Sequence, residues 1–186
     1  MEAAYEARTV PVQLRINENF GIALERKDHI EEFFQLIDVL KRWGVAPDVV
    51  GYQAHIHQGA LLFQNPNFID TLRTIIKECA LRNIQLHITE MDVDQGVNGS
   101  FTIQADVYRA FFNEVYRTAN CTMFSTWGVY DGDTWLTSPT KPDVAPLLLD
   151  KNFQPKPAYF AIQQAMKSFR RHYAVVSPGA RAVTVI

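Results

Sequence analysis

Short apolar segments alternate with amphipathic helices along most of this sequence. The strand-like segments cover residues 12–17, 49–54, 84–89 and 122–127, and the helical segments cover residues 28–43, 68–82, 102–118 and 157–173. A helix between two successive strands acts as a right-handed crossover, and such a connection makes the strands parallel. The pattern therefore predicts an α/β fold whose functional site lies at the carboxyl ends of the strands.

Local signals mark where the first and last helices begin and end. Asp28 is predicted to cap the first helix, because aspartate accepts hydrogen bonds from the free N–H groups at a helix start. Gly44 is predicted to end that helix, since glycine readily adopts the left-handed conformation found there. Pro157 suits the first turn of the last helix, where its missing N–H removes no helical hydrogen bond.

Composition and charge exclude several classes of partner. The chain has 186 residues, 47% hydrophobic and 20% charged, which is typical of a globular domain with its own core. The formal net charge of −2 provides no electrostatic attraction to nucleic acid or to an anionic membrane. Cys79 and Cys121 lie outside CxxC or histidine-rich spacing, so we predict no metal and no cofactor, and interpret both as buried thiols.

The third strand segment ends on two carboxylates. Glu90 directly follows the apolar run, and Asp92 lies two residues further along. Barrel enzymes carry their catalytic groups at the carboxyl ends of the strands, so this position is typical of an active site. Trp127 and Trp135 follow the fourth strand segment in a polar loop, and flat indole rings suit the apolar faces of sugars.

Five segments resemble, in the same order, glycoside hydrolase family 10, the endo-β-1,4-xylanases. They are residues 13–20 (QLRINENF), 50–55 (VGYQAH), 88–92 (ITEMD), 126–135 (TWGVYDGDTW) and 147–159 (LLLDKNFQPKPAY). The third segment is nearly identical to the family's Ile-Thr-Glu-Leu-Asp, and the second is similar to its Gly-Phe-Gln-x-His. The resemblance covers about residues 3 to 165.

The resemblance implies a partial TIM (β/α)8 barrel, because the family forms complete barrels and this chain resembles only strands five to eight with their helices. Residues 1–173 are expected to form this half of the barrel, and residues 174–186 a C-terminal tail. The first residues resemble the end of the fourth helix, so we expect a truncated piece or one part of a split protein. An extracellular protein is expected from the family, although the N-terminus lacks the apolar core of a signal peptide.

The resemblance also implies a retaining glycoside hydrolase that acts on xylan. Glu90 matches the family's nucleophile, which forms a glycosyl-enzyme intermediate. The family's acid/base lies in an Asn-Glu pair at the end of the fourth strand, whereas the Asn17-Glu18 pair matches the fifth strand by its surroundings. Because loss of a general acid typically costs about 10²–10⁴-fold in rate, we expect weak or no activity from this chain alone.

Further site residues follow from the same resemblance. His55 and Asp92 are expected to fix the rotamer of Glu90 and keep its carboxylate ionised. Sugar-binding roles are expected for the family-matched residues Asn17, Gln53, Trp127 and Trp135.

Other polar residues near these motifs receive structural interpretations. Asp131 and Asp133 are interpreted as hydrogen-bonding residues of the loop rather than metal ligands. His57 and His87 are interpreted as incidental, and His87 is predicted to point toward the helix layer because it alternates with Ile88.

Half of a barrel would leave two edge strands unpaired, at residues 12–17 and 122–127, beside an inner face that we expect to be apolar. These features predict self-association, for example as a two-fold dimer that rebuilds eight strands. Two alternatives to a hydrolase stay open. One is a non-catalytic xylan-binding module, and the other is an oligomerising half-barrel without a role in sugar binding.

Overall fold

A computed structural model describes residues 6, 12–22, 25–57, 59, 63–96, 100–141 and 143–173. These residues contain β1 (Arg15–Glu18), α1 (Lys27–Arg42), β2 (Val49–Tyr52), β3 (His55–Ile56), α2 (Asp70–Leu81), β4 (Gln85–Val93), α3 (Phe101–Tyr116), β5 (Cys121–Thr126), a 3-10 turn (Asp131–Asp133) and α4 (Pro157–Tyr173). The predicted tail, residues 174–186, lies outside the described residues.

The strands form one parallel sheet in the order β1-β2-β4-β5, and β3 pairs with the carboxyl end of β4. Each of these four strands is followed by a helix. This is the arrangement of half of a (β/α)8 barrel, and the predicted partial barrel is confirmed. Within the described part of the chain, β1 pairs only with β2, and β5 only with β4, so both are edges of the sheet.

The hydrophobic core lies between one face of the sheet and the helices. In α1, the buried residues Ile30, Phe33, Phe34 and Ile37 follow the i, i+3, i+4, i+7 spacing that places them on one face. Each such side chain contributes about 1.5–3 kcal/mol to stability when it is fully buried. This apolar stripe fixes which side of α1 faces the sheet.

The ends of the helices follow the predictions only in part. Gly44 follows α1 with a φ of 77°, as expected for a helix end. Asp28 does not cap α1, because the helix begins one residue earlier and Arg26 occupies the cap position without a side-chain hydrogen bond. Asp28 lies in the first turn, where its charge favours the positive end of the helix. Ser100 caps α3 by accepting a hydrogen bond from Ile103 N at 3.1 Å, which the sequence analysis missed.

The inner face of the sheet is polar, which contradicts the expected apolar face. Asn17 and Thr89 hydrogen-bond to each other on this face, and the Nε2 atom of His87 lies 3.0 Å from the hydroxyl oxygen of Thr122. The Nδ1 atom of His87 lies 3.4 Å from the guanidinium of Arg15. Most apolar residues of these strands, such as Val50, Leu86 and Phe124, pack on the helix side instead. Val49 is an exception, because it lies on the inner face beside Arg15.

The orientation of His87 also differs from the prediction. Leu86 and Ile88, its neighbours in β4, are fully buried in the core beneath the helices. Because successive side chains of a strand point to opposite faces, His87 must point to the inner face. Burial and the nearby charge of Arg15 lower the pKa of His87, which favours the neutral ring.

Both cysteines are free thiols. Cys79 is buried, but Cys121 is only half-buried, which corrects part of the prediction. Burial raises the pKa of each thiol to about 12, so neither forms a thiolate near neutral pH. Among the helices that the structure describes, none is both long enough and apolar enough to cross a membrane.

Candidate active site

A β-bulge interrupts β4 close to its carboxyl end. On one side of β4, Ile88 pairs with Phe124 and Met91 pairs with Thr126, so three steps along β4 match two steps along β5. The other neighbour shows the same offset, because four steps along β4 match three steps from β2 into β3. One extra residue is therefore accommodated in β4 between Ile88 and Met91.

The bulge changes which side chains of β4 point to the inner face. Ile88 before the bulge and Met91 after it both face the core, although they are an odd number of residues apart. Thr89 and Glu90, between them, both reach the inner face and contact the same residue of β1. Asp92 then follows on the inner side as well, where it contacts the histidine of β3.

His55 links the two carboxylates that follow the third predicted strand. Its Nε2 atom lies 3.3 Å from Glu90 Oε2, and its Nδ1 atom lies 3.1 Å from Asp92 Oδ1. The indole Nε1 of Trp135 donates to the other oxygen of Asp92 at 2.7 Å. The structure thus brings together three of the predicted site residues and one of the predicted sugar-binding tryptophans.

The electrostatics of this cluster favour a charged imidazole. The side chain of His55 is 8% exposed, and those of Glu90 and Asp92 are 13% and 0% exposed. Burial by itself lowers the pKa of His55, but the hydrogen bond and charge of Asp92, together with the charge of Glu90, outweigh burial and raise it. A protonated ring can donate to both carboxylates at once.

The backbone leading to His55 is strained. Ala54, between β2 and β3, is buried and adopts a φ of 60° in the left-handed region. For a residue with a Cβ atom this conformation costs about 1–2 kcal/mol. The strain accompanies the break between β2 and β3, after which His55 pairs with Asp92.

Asn17 contacts Glu90 directly. Its Nδ2 group donates to Glu90 Oε1 at 2.6 Å, and its Oδ1 atom accepts a hydrogen bond from the hydroxyl of Thr89 at 2.7 Å. The role of Asn17 in sugar binding stays a prediction, and in this structure each half of its amide group makes one hydrogen bond within the protein. Its observed contact is with the carboxylate.

The predicted sugar-binding tryptophans lie beside His55 and are partly open to solvent. Trp127 is 47% exposed and Trp135 is 54% exposed. Their ring centroids lie 6.3 Å and 5.1 Å from that of His55. Gln53 is half-buried, and its backbone N–H donates to the carbonyl of Glu18 at 3.0 Å.

Glu18 lies on the opposite face of β1 from Asn17. Its Oε1 atom accepts a hydrogen bond from Asn19 N at 2.7 Å and lies 3.6 Å from Nε2 of His29, which belongs to α1. Successive side chains of a strand alternate between faces, so Glu18 faces the helix layer while Asn17 faces Glu90. This arrangement argues against Glu18 as a partner carboxylate for Glu90.

A buried ion pair anchors the loop that carries Trp135. Lys156 Nζ lies 2.8 Å from Asp131 Oδ2 and donates to the carbonyl of Ala145 at 2.8 Å. Asp131 Oδ1 also accepts a hydrogen bond from Leu147 N at 2.8 Å. Burial raises the pKa of Asp131 and lowers that of Lys156, although their mutual attraction opposes both shifts.

Sequence reasoning treated Asp131 and Asp133 as loop hydrogen-bonding residues, and both do accept hydrogen bonds. Asp133 accepts one from the hydroxyl of Tyr130 at 3.1 Å. The pairing of Asp131 with Lys156 was missed. The two residues lie 25 positions apart, and no local spacing links them. Among the described residues, no group of three or more His, Cys, Asp or Glu side chains could hold a metal ion.

Fold and site together define a partial (β/α)8 barrel with a histidine-bound carboxylate at the carboxyl end of one strand. Residues 1–165 match the profile of Glycosyl hydrolase family 10, and the chain belongs to this family.

Curated relatives of the chain include endo-1,4-beta-xylanases. Endo-1,4-beta-xylanase A of Thermoanaerobacterium saccharolyticum is 32% identical over 143 residues, which cover 74% of this chain and 11% of that protein. Endo-1,4-beta-xylanase 2 of Aureobasidium pullulans is 27% identical over 143 residues, covering 74% of this chain and 40% of that protein. The chain therefore spans less than half the length of each of these relatives.

Two solved xylanase structures also match most of this chain but less than half of their own length. The intracellular xylanase TsXylA of Thermoanaerobacterium saccharolyticum, a mutant in complex with xylotriose, matches with a TM-score of 0.71 and 30% identity, covering 87% of this chain and 47% of that one. The endo-1,4-beta-D-xylanase 10B of Clostridium thermocellum, in complex with xylohexaose, matches with a TM-score of 0.72 and 26% identity. The match covers 88% of this chain and 31% of that one.

Proposed function

We propose that this chain carries the nucleophile half of the active site of a retaining endo-1,4-β-xylanase. The observation that carries the proposal is the setting of Glu90, whose two carboxylate oxygens face Asn17 Nδ2 at 2.6 Å and His55 Nε2 at 3.3 Å. Hydrogen bonds to the charged form favour an ionised carboxylate, which is the form that attacks an anomeric carbon. The attack would form a glycosyl-enzyme ester, and water would then hydrolyse it.

In this proposal, His55 and Asp92 position the nucleophile, and the two tryptophans near His55 bind sugar. His55, held by Asp92, fixes the rotamer of the nucleophile and supplies positive charge beside it. Trp127 and Trp135 offer apolar surfaces on which xylose rings can stack. Support for a xylo-oligosaccharide ligand comes from the matched TsXylA and xylanase 10B structures, which hold xylotriose and xylohexaose.

A retaining mechanism also needs an acid/base carboxyl group about 5–5.5 Å from the nucleophile. Within the described residues, Asp92 is bound to His55 and Trp135, and Glu18 faces the helices. We therefore assign the acid/base to the part of the barrel that the matched relatives have and this chain does not span. Weak or no release of sugar from xylan is the consequence, since the leaving group would depart without a proton.

The nucleophile can be tested without the acid/base. A dinitrophenyl 2-deoxy-2-fluoro-β-xylobioside has a leaving group that needs no proton, and its fluorine slows hydrolysis of the ester. We expect intact mass spectrometry to show one adduct, located on Glu90 by peptide mapping. Glu90→Gln should abolish the adduct, while Glu32→Gln, on the exposed side of α1, should leave it unchanged. An unlabelled native chain, or an adduct elsewhere, would refute the assignment.

A non-catalytic xylan-binding module is the second candidate, because about half of the surface of Trp127 and of Trp135 is exposed. Titration with xylohexaose should change the tryptophan fluorescence. Trp127→Ala and Trp135→Ala should weaken this response, and Trp43→Ala should not, since Trp43 is exposed at the end of α1, away from the strand ends. Binding by a chain that is never labelled at Glu90 would favour the binding module over the hydrolase.

We further propose that β1 and β5 are covered in solution by additional barrel strands. A second copy of this chain is the simplest source. In a two-fold arrangement, β5 of each copy would pair in parallel with β1 of the other, which closes eight strands.

A further inference from the structure

The side chain of Asn17 reaches across a neighbouring strand. Asn17 in β1 pairs with Gly51 in β2, and Gly51 in turn pairs with His87 in β4. Nevertheless, the amide of Asn17 hydrogen-bonds to Thr89 and Glu90, which belong to β4. The amide therefore passes over the backbone of β2 at Gly51.

Glycine at position 51 is what makes this crossing possible. A Cβ atom built there would overlap Asn17 Oδ1 and would lie 3.1 Å from the Cγ2 methyl of Thr89. The backbone of Gly51 is otherwise an ordinary strand, so the requirement comes from space rather than from an unusual φ angle. Any larger residue would push Asn17 away from β4.

The β-bulge explains how two consecutive residues of β4 touch the same amide group. In a regular strand, Thr89 and Glu90 would point to opposite faces of the sheet. The extra residue between Ile88 and Met91 turns both toward the inner face, where both reach Asn17.

The order of donors and acceptors then determines the orientation of the amide. An ionised carboxylate can only accept hydrogen bonds, so the NH₂ group of Asn17 must face Glu90. Oδ1 of Asn17 consequently needs a donor on the opposite side, and the hydroxyl of Thr89 supplies one at 2.7 Å. With the amide flipped, Oδ1 would lie against the charged oxygens of Glu90.

We propose that Thr89 is a positioning residue for Glu90, acting through Asn17 across the gap left by Gly51. The hydroxyl of Thr89 holds the amide in the orientation that donates to the carboxylate. The catalytic significance of this contact rests on the proposed role of Glu90 as a nucleophile, but the contact itself does not, so the two can be tested separately.

The contact is tested by NMR of the side-chain amide of Asn17 in the ¹⁵N-labelled chain. In the native chain, one Nδ2 proton should be shifted downfield by the short bond to Glu90, and its shift should follow the titration of a carboxyl group. Glu90→Gln should remove that titration. Thr89→Val, which keeps the shape but removes the hydroxyl, should remove the downfield shift, and Thr89→Ser should retain it.

Two further variants complete this test. Thr126→Val is the matched control, because the buried hydroxyl of Thr126, at the end of β5, donates to the carbonyl of Gly128 two residues further along, and its loss should leave the amide of Asn17 unchanged. Gly51→Ala should remove the downfield shift while Thr89 stays intact, because the new methyl group displaces Asn17. An unchanged Asn17 amide in folded Thr89→Val protein would overturn the proposal.

Labelling with the fluoro-xylobioside relates the contact to function. Thr89→Val should be labelled about tenfold more slowly than the native chain, and Thr89→Ser should recover most of the rate. If the native chain is not labelled, the proposed function fails while the NMR result still decides the contact. Equal labelling of Thr89→Val and native protein would refute the positioning role.

Discussion

Both oxygens of the Glu90 carboxylate face a polar side chain, and each of those side chains is held by a further contact. Asn17 is held by the hydroxyl of Thr89, and His55 is held by Asp92. The side chain of Glu90 is only 13% exposed, so little water is available to replace these partners if the carboxylate rotates away. Rotation would therefore cost the free energy of its hydrogen bonds, which is about 1.5–3 kcal/mol for each bond to a charged group. Residue by residue, the site is arranged to keep one rotamer of Glu90.

The raised pKa of His55 makes a prediction about stability. Burial opposes the charge of the ring, but Asp92 and Glu90 outweigh it, so the folded protein binds this proton more tightly than the unfolded chain. The resulting stabilisation is complete below the unfolded pKa of about 6.5 and is lost as the pH rises through the higher folded pKa. We expect His55→Gln to cost about 1–3 kcal/mol near pH 6 and less at alkaline pH, measured by urea unfolding at a series of pH values.

His57→Gln provides the control for that experiment. His57 is exposed, and its ring centroid lies 6.4 Å from that of Trp135. Its substitution should leave the urea midpoint within about 0.5 kcal/mol of the native value at each pH. A cost of His55→Gln that does not change with pH would contradict a role for the charged ring.

At the scale of single elements, a bulge in one strand and an ion pair in one loop position the site. The bulge in β4 turns Glu90 and Asp92 inward, and the ion pair between Asp131 and Lys156 joins the loop after β5 to the residue before α4. The pair has side-chain exposures of 2% and 5%, so each charge depends on the other for compensation. This loop carries Trp135, whose indole N–H reaches Asp92.

Breaking that pair should destabilise the whole chain. We expect Lys156→Met to cost about 3–5 kcal/mol in urea unfolding, because it leaves the carboxylate of Asp131 buried without a partner. The double variant Asp131→Leu/Lys156→Met should recover most of this loss, since no uncompensated charge is left.

Lys27→Met tests the same change at an exposed site. Lys27 lies 3.7 Å from Glu31, with side-chain exposures of 66% and 59%, and its loss should cost less than about 0.5 kcal/mol. If Lys156→Met costs no more than Lys27→Met, the ion pair does not anchor the loop.

At the scale of the whole molecule, the described residues form a half-barrel with a largely polar inner face, and among them β1 and β5 each pair with only one strand. Arg15, on that face of β1, contacts the ring of His87, and no carboxylate of the described residues forms an ion pair with it. In a two-fold barrel, Arg15 and its copy would both face the closed interior. Like charges brought together at an interface cost several kcal/mol, so Arg15 should weaken a dimer of this chain.

Sedimentation across micromolar concentrations can test this expectation. We expect the native chain to show a concentration-dependent monomer–dimer equilibrium through β1 and β5, and Arg15→Gln to tighten it by about tenfold. Lys77→Gln, a matched loss of one charge on the exposed side of α2, should leave the equilibrium unchanged. A folded native chain that stays monomeric at every concentration would rule out pairing between copies.

The periodicity of the sequence predicted the order of the major strands and helices because each element repeats its apolar residues at its own spacing. Local signals also predicted the helix end at Gly44. The predicted strand end at Thr89 was too early, because β4 continues through Glu90 to Val93. Family motifs alone predicted that His55 and Asp92 lie beside Glu90, as they do in the structure. These features depend on residues close together in the chain or on patterns shared by relatives.

Tertiary structure alone decided the rest. The bulge in β4 is defined by how β4 pairs with the strands on both sides of it. The spacing of residues along this one segment therefore could not indicate that Thr89 and Glu90 face the same way. The space above Gly51 depends on Asn17, which lies on another strand, and the partner of Asp131 lies on a distant segment of the chain. Such contacts join residues far apart in sequence, and their geometry is set by the packing and pairing of whole elements, which local periodicity does not encode.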